Sequence, residues 1–350
     1  MAETPAPRKK RINLALQGGG AHGAFTWGVL DRLLADERLE IEGISGTSAG
    51  AMNAAILAQG FAKGGAAGAR AALDTFWTGM SEFARFSPIQ VSPLDKWRGN
   101  WNVDRSLGAM WMEFLKGLFS PYQLNPLNYD PLRDILTKAI DFEAVRAAPI
   151  KLFISATNVR TGKIRVFERQ DLTIDALLAS ACLPEVFQAV EIDDQPYWDG
   201  GYMGNPAIFP LIYGCDSRDI VIVQINPLLR EGTPKSTVEI MNRLNEITFN
   251  SALLKEFRAV AFVTKLIEDG WIKDEYRPRL RHMLMHSIRA DEALVPLGAA
   301  SKFNCDWRFL CDLRDRGRDT ARQWLGENYI HLGKRATVDL ATEYLNPRDS

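Results

Sequence analysis

Gly46-Thr47-Ser48-Ala49-Gly50 sets a serine between glycines at the junction of a short apolar run, Leu39 to Ser45, and a small-residue helix expected over Ala51 to Ala58. A serine hydroxyl attacks an ester carbonyl only when a tight strand-to-helix turn lifts it clear of the backbone, and such a turn is strained and leaves room for little but glycine on either side. Gly46 and Gly50 supply that room, and Ala49 and Gly50 keep the approach to Ser48 open. The helix that follows aims its unpaired N–H groups and positive dipole end at any negative charge formed there. Hydrolysis or acyl transfer through Ser48 is the chemistry this spacing can perform.

A second glycine cluster lies upstream. Arg11 to Gln17 is a β-rich run that feeds into Gly18-Gly19-Gly20-Ala21-His22-Gly23, and a helix follows with Phe25, Val29, Leu30, Leu33 and Leu34 at helical spacing. Gly18, Gly20 and Gly23 also match G-x-G-x-x-G, the dinucleotide fingerprint. Both readings use one physics: backbone N–H groups converge at a helix N-terminus and hold either a pyrophosphate or a tetrahedral oxyanion. The fingerprint asks for an acidic residue at the end of the second strand. Glu40 and Glu42 lie at its beginning instead, and a cofactor site leaves Ser48 unexplained.

The third feature is Tyr197-Trp198-Asp199-Gly200-Gly201, after a hairpin in which Val186 to Ile192 and Tyr197-Trp198 flank a turn over Asp193 to Pro196. A strand end delivering a carboxylate, followed by two glycines, would present Asp199 to a neighbouring loop; an ordinary Asp-Gly turn has the same signature. Of the four histidines (His22, His282, His286, His331), His282 or His286 would follow Ser48 and Asp199 in a chain order compatible with a Ser-His-Asp triad. Both lie in an alternating polar and apolar stretch that reads as a strand.

Together the three motifs resemble the patatin-like phospholipase family, bacterial branch, over about residues 10 to 226. The stretch Leu172 to Cys182 followed by Leu183-Pro184-Glu185-Val186-Phe187 is similar to the family's segment before its aspartate. The resemblance implies an α/β fold, a three-layer α/β/α sandwich, with Ser48 as nucleophile and Asp199 as its direct partner, a dyad without histidine. Gly18, Gly19, Gly20 and Ala21 would form the oxyanion hole, supported by Gly23, Gly46, Gly50, Gly200 and Gly201. The implied activity is a phospholipase A, lysophospholipase or carboxylester hydrolase on an acyl-lipid substrate, with no cofactor and no metal. An acyltransferase using the same acyl-serine, or a lipid-binding module without turnover, stands as the alternative. One departure is His22, where the family usually has Arg or Lys: a charged His22 would make activity weaken as pH rises through its titration, whereas backbone donors alone would make the change silent. A carboxylate base also needs an apolar wall to raise its basicity, and Trp198, Tyr202 and Phe187 are the expected suppliers.

With 350 residues, 46% hydrophobic and 24% charged, the chain can bury a large core. A net charge of −1 gives no electrostatic case for nucleic acid. Arg8-Lys9-Lys10-Arg11 is read as the end of a solvated tail, residues 1–10. The four cysteines lack C-x-x-C spacing and read as free thiols, no His, Cys and carboxylate cluster has metal-ligand spacing, and no long apolar run or signal peptide is seen. These features lead to the expectation of a cytoplasmic protein whose membrane contact, where it has any, is peripheral.

The elements that must position the motifs alternate: strands near 12–17, 40–45, 150–157, 163–168 and 219–225 with helices between, an acyl hydrolase domain over 11–235. Gly60 to Gly68 reads as a loop or weak helix. Residues 76–130 interrupt the pattern with many aromatics, including an apolar helix over Met110 to Phe119, and are expected to form a cap or acyl pocket, with buried core as the competing reading. From about residue 236 to 350 the patterns are mainly helical.

Overall fold

The computed structural model describes residues 9–84, 101, 119–276, 280–295 and 297–345. Its strands are β1 (Lys10–Leu16), β2 (Leu39–Gly46), β3 (Lys151–Asn158), β4 (Ile164–Glu168), β5 (Val190–Ile192), β6 (Gln195–Asp199), β7 (Asp219–Gln224) and β8 (Leu284–Arg289). Its helices are α1 (Gly23–Leu34), α2 (Ala49–Ala84), α3 (Pro121–Leu124), α4 (Pro131–Ala139), α5 (Phe142–Ala147), α6 (Ile174–Ser180), α7 (Phe209–Gly214), α8 (Thr237–Glu268), α9 (Asp291–Leu294) and α10 (Trp307–Asn328). The strands form one sheet in the order β5-β6-β3-β2-β1-β7-β8, with β4 also on β3. The run β3-β2-β1-β7-β8 is parallel, and β4, β5 and β6 make antiparallel pairs.

Period-two alternation divides the side chains between two cores. Leu14, Leu16, Ile44, Ile154, Val221 and Val223 pack on one face with Phe25, Leu30, Ile56 and Phe309 from α1, α2 and α10. Ala15, Phe153, Ile220 and Ile222 pack on the other with Leu211 of α7 and Leu253 and Phe257 of α8. A parallel strand covered on both faces reads as a continuous apolar run, as Ile220 to Val223 do in β7. The result is the expected three-layer α/β/α arrangement.

Two local expectations change. The hairpin turn is tighter than Asp193 to Pro196: β5 ends at Ile192 and β6 starts at Gln195, with Asp193 and Asp194 alone at φ 51° and 58°. Positive φ at both central residues is the mirror-image turn whose twist matches its strands. Gly60 to Gly68 lies within α2, which breaks only at Gly64 and Gly65, so that Gly60 packs against Gly68 and Ala69. The C-terminal third is helical in large part, and the stretch of His282 and His286 that reads as a strand contributes β8, which extends the parallel sheet beside β7. Of the expected cap, residues 85–100 and 102–118 lie outside the described residues, the apolar stretch from Met110 included.

The C-terminal α10 is fastened to α1 at glycines. A Cβ on Gly28 would run into the Arg314 carbonyl, and one on Gly317 into the Phe25 carbonyl. Arg318 and Arg70 both grip the buried Asp31 of α1, each through Nε at 2.8 Å, and hold that carboxyl below its ordinary range against the opposing effect of burial. Gly28→Ala is therefore expected to destabilise the protein by about 1–3 kcal/mol through overpacking. Gly326→Ala, in the same α10 with open space around it, should stabilise by about 0.5–1 kcal/mol. Denaturant titration of the two variants reads both signs, and equal effects would refute the close-approach argument.

Candidate active site

The register of β3 brings two strand ends together. β4 takes one edge of β3 from Phe153 to Thr157. On the other edge β2 runs parallel and ends with Gly46 opposite Ile154, while β6 runs antiparallel and ends with Asp199 opposite Ala156. The C-terminal ends of β2 and β6 thus point at each other across two residues of β3, about 7 Å. The residues that leave these ends are Thr47-Ser48 and Gly200-Gly201.

Ser48 sits at φ 53°, in the left-handed region, at a cost of about 1 kcal/mol for a residue with a Cβ. The turn is held around it. Thr47 donates through its amide to Leu16 O (3.3 Å) and through its hydroxyl to Gly204 O (2.6 Å). The Ser48 amide donates to Ser180 Oγ at 2.9 Å, and its carbonyl accepts from Met52, the first turn of α2. A Cβ on Gly50 would strike the Leu16 carbonyl, so glycine is obligatory where α2 passes the end of β1.

Asp199 is 1% exposed. Its amide donates to Cys182 O (2.7 Å) and its carbonyl accepts from the Thr157 hydroxyl (2.8 Å), which fixes the backbone. One carboxylate oxygen accepts from Gly201 N at 2.7 Å, and Ser48 acts on the same carboxyl. Burial pushes its pKa up to about 7, against the opposing effects of the Gly201 amide, Ser48 and the positive Lys302. Of the expected apolar wall, Tyr202 is in place, tilted against Phe249 at 5.2 Å between ring centroids. Phe249, from α8, presses directly on Gly201. Phe187 instead lines a cavity of about 390 Å³ beside Cys182, together with Tyr122, Asp130 and Gln188.

The glycine loop follows β1 as a 3₁₀ turn, Gly20–His22, that leads into α1. Gly18 lies so close to the serine that a Cβ would come within 2.7 Å of Ser48 Cβ. It is not available as an oxyanion donor, because its N–H donates to Asn205 Oδ1 at 2.7 Å and its carbonyl accepts from Asn226 Nδ2 at 2.7 Å. Gly18 is a clamp point. The N–H groups of Gly19, Gly20 and Ala21 have no hydrogen-bond partner among the described residues. Gln17, just before the loop, accepts from the amides of Ile225 and Asn226 at 2.8 and 2.9 Å and ties the loop to the end of β7.

His22 is buried under this loop with Nε2 2.7 Å from Ser301 Oγ. Burial drives its pKa well below the ordinary value, and Lys302 and Arg230 push the same way. It is neutral at working pH, so it is no substitute for a cation. Neither triad candidate reaches Ser48. His286 stands on β8 between Thr337 and Asp219, at 2.9 and 3.0 Å, and β8 lies three strands from β2, about 14 Å across the sheet. His282 precedes β8 and pairs with Glu268 at 3.5 Å.

Asn205, Asn226, Ser180, Ser301 and Lys302 escaped sequence reasoning. Each is a single polar residue in a loop or at a helix end, with no spacing pattern. The one available signal was position: Asn226 follows a strand's C-terminal end, where sites of open α/β sheets collect. Among the described residues no group of three or more His, Cys, Asp or Glu could hold a metal, and no helix is long and apolar enough to cross a membrane. All four cysteines are free.

A family model described as patatin-like phospholipase matches residues 14–212. Among solved structures, VipD from Legionella pneumophila is similar over 92% of this chain and 67% of its own, at 16% identity and a TM-score of 0.40. The heterodimeric ExoU–SpcU complex from the type III secretion system of Pseudomonas aeruginosa is similar over 70% of this chain, at 20% identity and a TM-score of 0.31; this chain spans 51% of that one. No curated protein matches. The family match covers more than half of the chain and takes in the glycine loop, the Ser48 turn and the Asp199 strand end, and the protein belongs to the patatin-like phospholipase family.

Proposed function

We propose that the protein is a serine lipid acyl hydrolase, of phospholipase A, lysophospholipase or carboxylester hydrolase type, working through a Ser48–Asp199 dyad. The observation that carries this reading is the register that sets the strained, left-handed Ser48 turn at the end of β2 against the buried Asp199 at the end of β6. Ionised Asp199 accepts the proton as Ser48 Oγ attacks the ester carbonyl. The oxyanion is met by the N–H groups of Gly19, Gly20 and Ala21 at the head of α1, where fixed dipoles stabilise developing charge without reorganising. Collapse expels the alcohol, which takes the proton back from Asp199, and leaves an acyl-serine. Water, deprotonated by the same carboxylate, then attacks the acyl carbon, and collapse returns Ser48 and the free acid. Each proton and each developing charge has a protein group to receive it, so the reaction as written needs no metal or cofactor.

The family match supports a lipid acyl hydrolase in general terms. The test of the finer reading is hydrolysis of p-nitrophenyl acyl esters of increasing chain length and of phosphatidylcholine vesicles, with and without chelator. Turnover that persists in chelator and is retained by His282→Ala/His286→Ala is expected; a dead double variant would replace the dyad by a triad. The pH dependence is a separate prediction. Asp199 must be ionised to act as base and its pKa is about 7, so kcat/KM should rise with pH through about 7 and fall about tenfold per unit below it. A rate flat down to pH 5 would show that this carboxylate is not the base.

A further inference from the structure

Lys302 is a largely buried lysine that pairs with no carboxylate among the described residues. Its ammonium donates to Asn226 Oδ1 at 2.9 Å and stands 5.9 Å from the centroid of Phe249, the ring pressed on Gly201. The amide end of the same Asn226 donates to Gly18 O and to Gln17 Oε1. On the other side the Lys302 backbone abuts the glycine loop, since a Cβ on Gly20 would run into the Lys302 carbonyl, and the preceding Ser301 holds His22. The whole segment is tethered from further out: Arg230, paired with Glu246 at 2.7 Å, donates to the carbonyls of Val295 and Leu297. A buried ammonium is costly to desolvate, and an apolar or amide side chain would fill the space at lower cost. The placement between the loop clamp and the Asp199 turn accounts for keeping the charge.

We infer that Lys302 is a positioning residue of the Ser48–Asp199 site, its charge acting on the Asp199 carboxylate and its hydrogen bond to Asn226 setting the glycine loop. The inference rests on the dyad reading. It makes a residue outside the matched region 14–212 complete the site; burial lowers the pKa of the Lys302 ammonium, and Glu246 and Asp199 oppose that. The charged groups that act on Asp199 are Lys302 and, from the loop after α6, Glu185, which opposes it. Those that act on Lys302 are Glu246, Arg230 and Asp199.

The test is the pH profile of kcat/KM on a p-nitrophenyl ester, from pH 5 to 9, for wild type, Lys302→Met, Lys302→Gln and Lys302→Arg. Loss of the cation should move the acid limb up by about one unit in the Met and Gln variants, giving roughly a tenfold deficit at pH 6 that shrinks toward pH 9. Gln can still donate to Asn226, so it keeps the experiment readable where Met folds poorly, and Arg should restore the wild-type limb. A uniform loss at every pH with the limb unmoved would mean a purely structural lysine and overturn the inference alone. A wild type without esterase activity, or a Ser48→Ala variant that keeps it, overturns the dyad and the inference with it.

Discussion

Ser48→Ala should lose about 10⁵-fold in kcat/KM on every acyl ester, because in the proposed covalent mechanism it removes the nucleophile, and with it the acyl-enzyme pathway as a unit, and leaves only binding and the oxyanion donors. Ser48→Gly should be equally inactive and yet more stable than Ser48→Ala by about 1 kcal/mol, since alanine keeps the Cβ that makes φ 53° unfavourable and glycine does not. The two variants separate catalysis from folding at one position: both touch the chemistry and only one relieves the strain. Kinetics together with urea unfolding of the pair reads both quantities. Retained hydrolysis in either variant would remove Ser48 from the mechanism. Equal stabilities would mean that the left-handed turn stores no strain.

The motif spacings carry much of this site because each is a local demand on the chain. A serine on a tight turn needs Gly50, where α2 passes the Leu16 carbonyl, and a loop so close that a Cβ would come within 2.7 Å of Ser48 Cβ needs Gly18. Such demands write themselves into consecutive residues. What brings Ser48 to Asp199 is not local: it is the register by which β2 and β6 share one edge of β3, with 150 residues between the two in the chain, and no window of sequence encodes a register between distant strands. The same holds for the residues that finish the site. Asn205 and Asn226 clamp Gly18 from two different loops, and Lys302 arrives from the far side of α8. A lone asparagine or lysine in a loop has the same composition whether it holds an oxyanion loop or faces solvent, so only the fold distinguishes them. In sequence Gly18 groups with the donors, since a glycine's N–H looks free until a partner from elsewhere in the chain, here Asn205, occupies it.

Asp199→Asn should cost about 10⁴-fold in kcat/KM, as the neutral amide cannot accept the Ser48 proton, and it should also stabilise the protein at alkaline pH. The folded-state pKa of Asp199 is about 7 against an ordinary 3.8, raised first by burial. Between those values the native state holds a proton that the unfolded chain has released, so the contribution of this group to stability is full below about pH 4, falls as pH rises toward 7, and is flat above. The span of about three units corresponds to a destabilisation on the order of 4 kcal/mol. Asparagine carries no charge to desolvate, while its Oδ1 can still accept from Gly201 N. Denaturant titrations at pH 4.5 and pH 8 should therefore show the variant close to wild type at the lower pH and more stable by a few kcal/mol at the higher. Glu256, whose pKa is also raised to about 7 by burial, titrates in the same window but is present in both proteins, so the difference between them isolates Asp199. A variant that is inactive and no more stable at pH 8 would mean that the carboxylate is not destabilised where it stands; the burial that makes it a base would then have to be sought in the substrate complex.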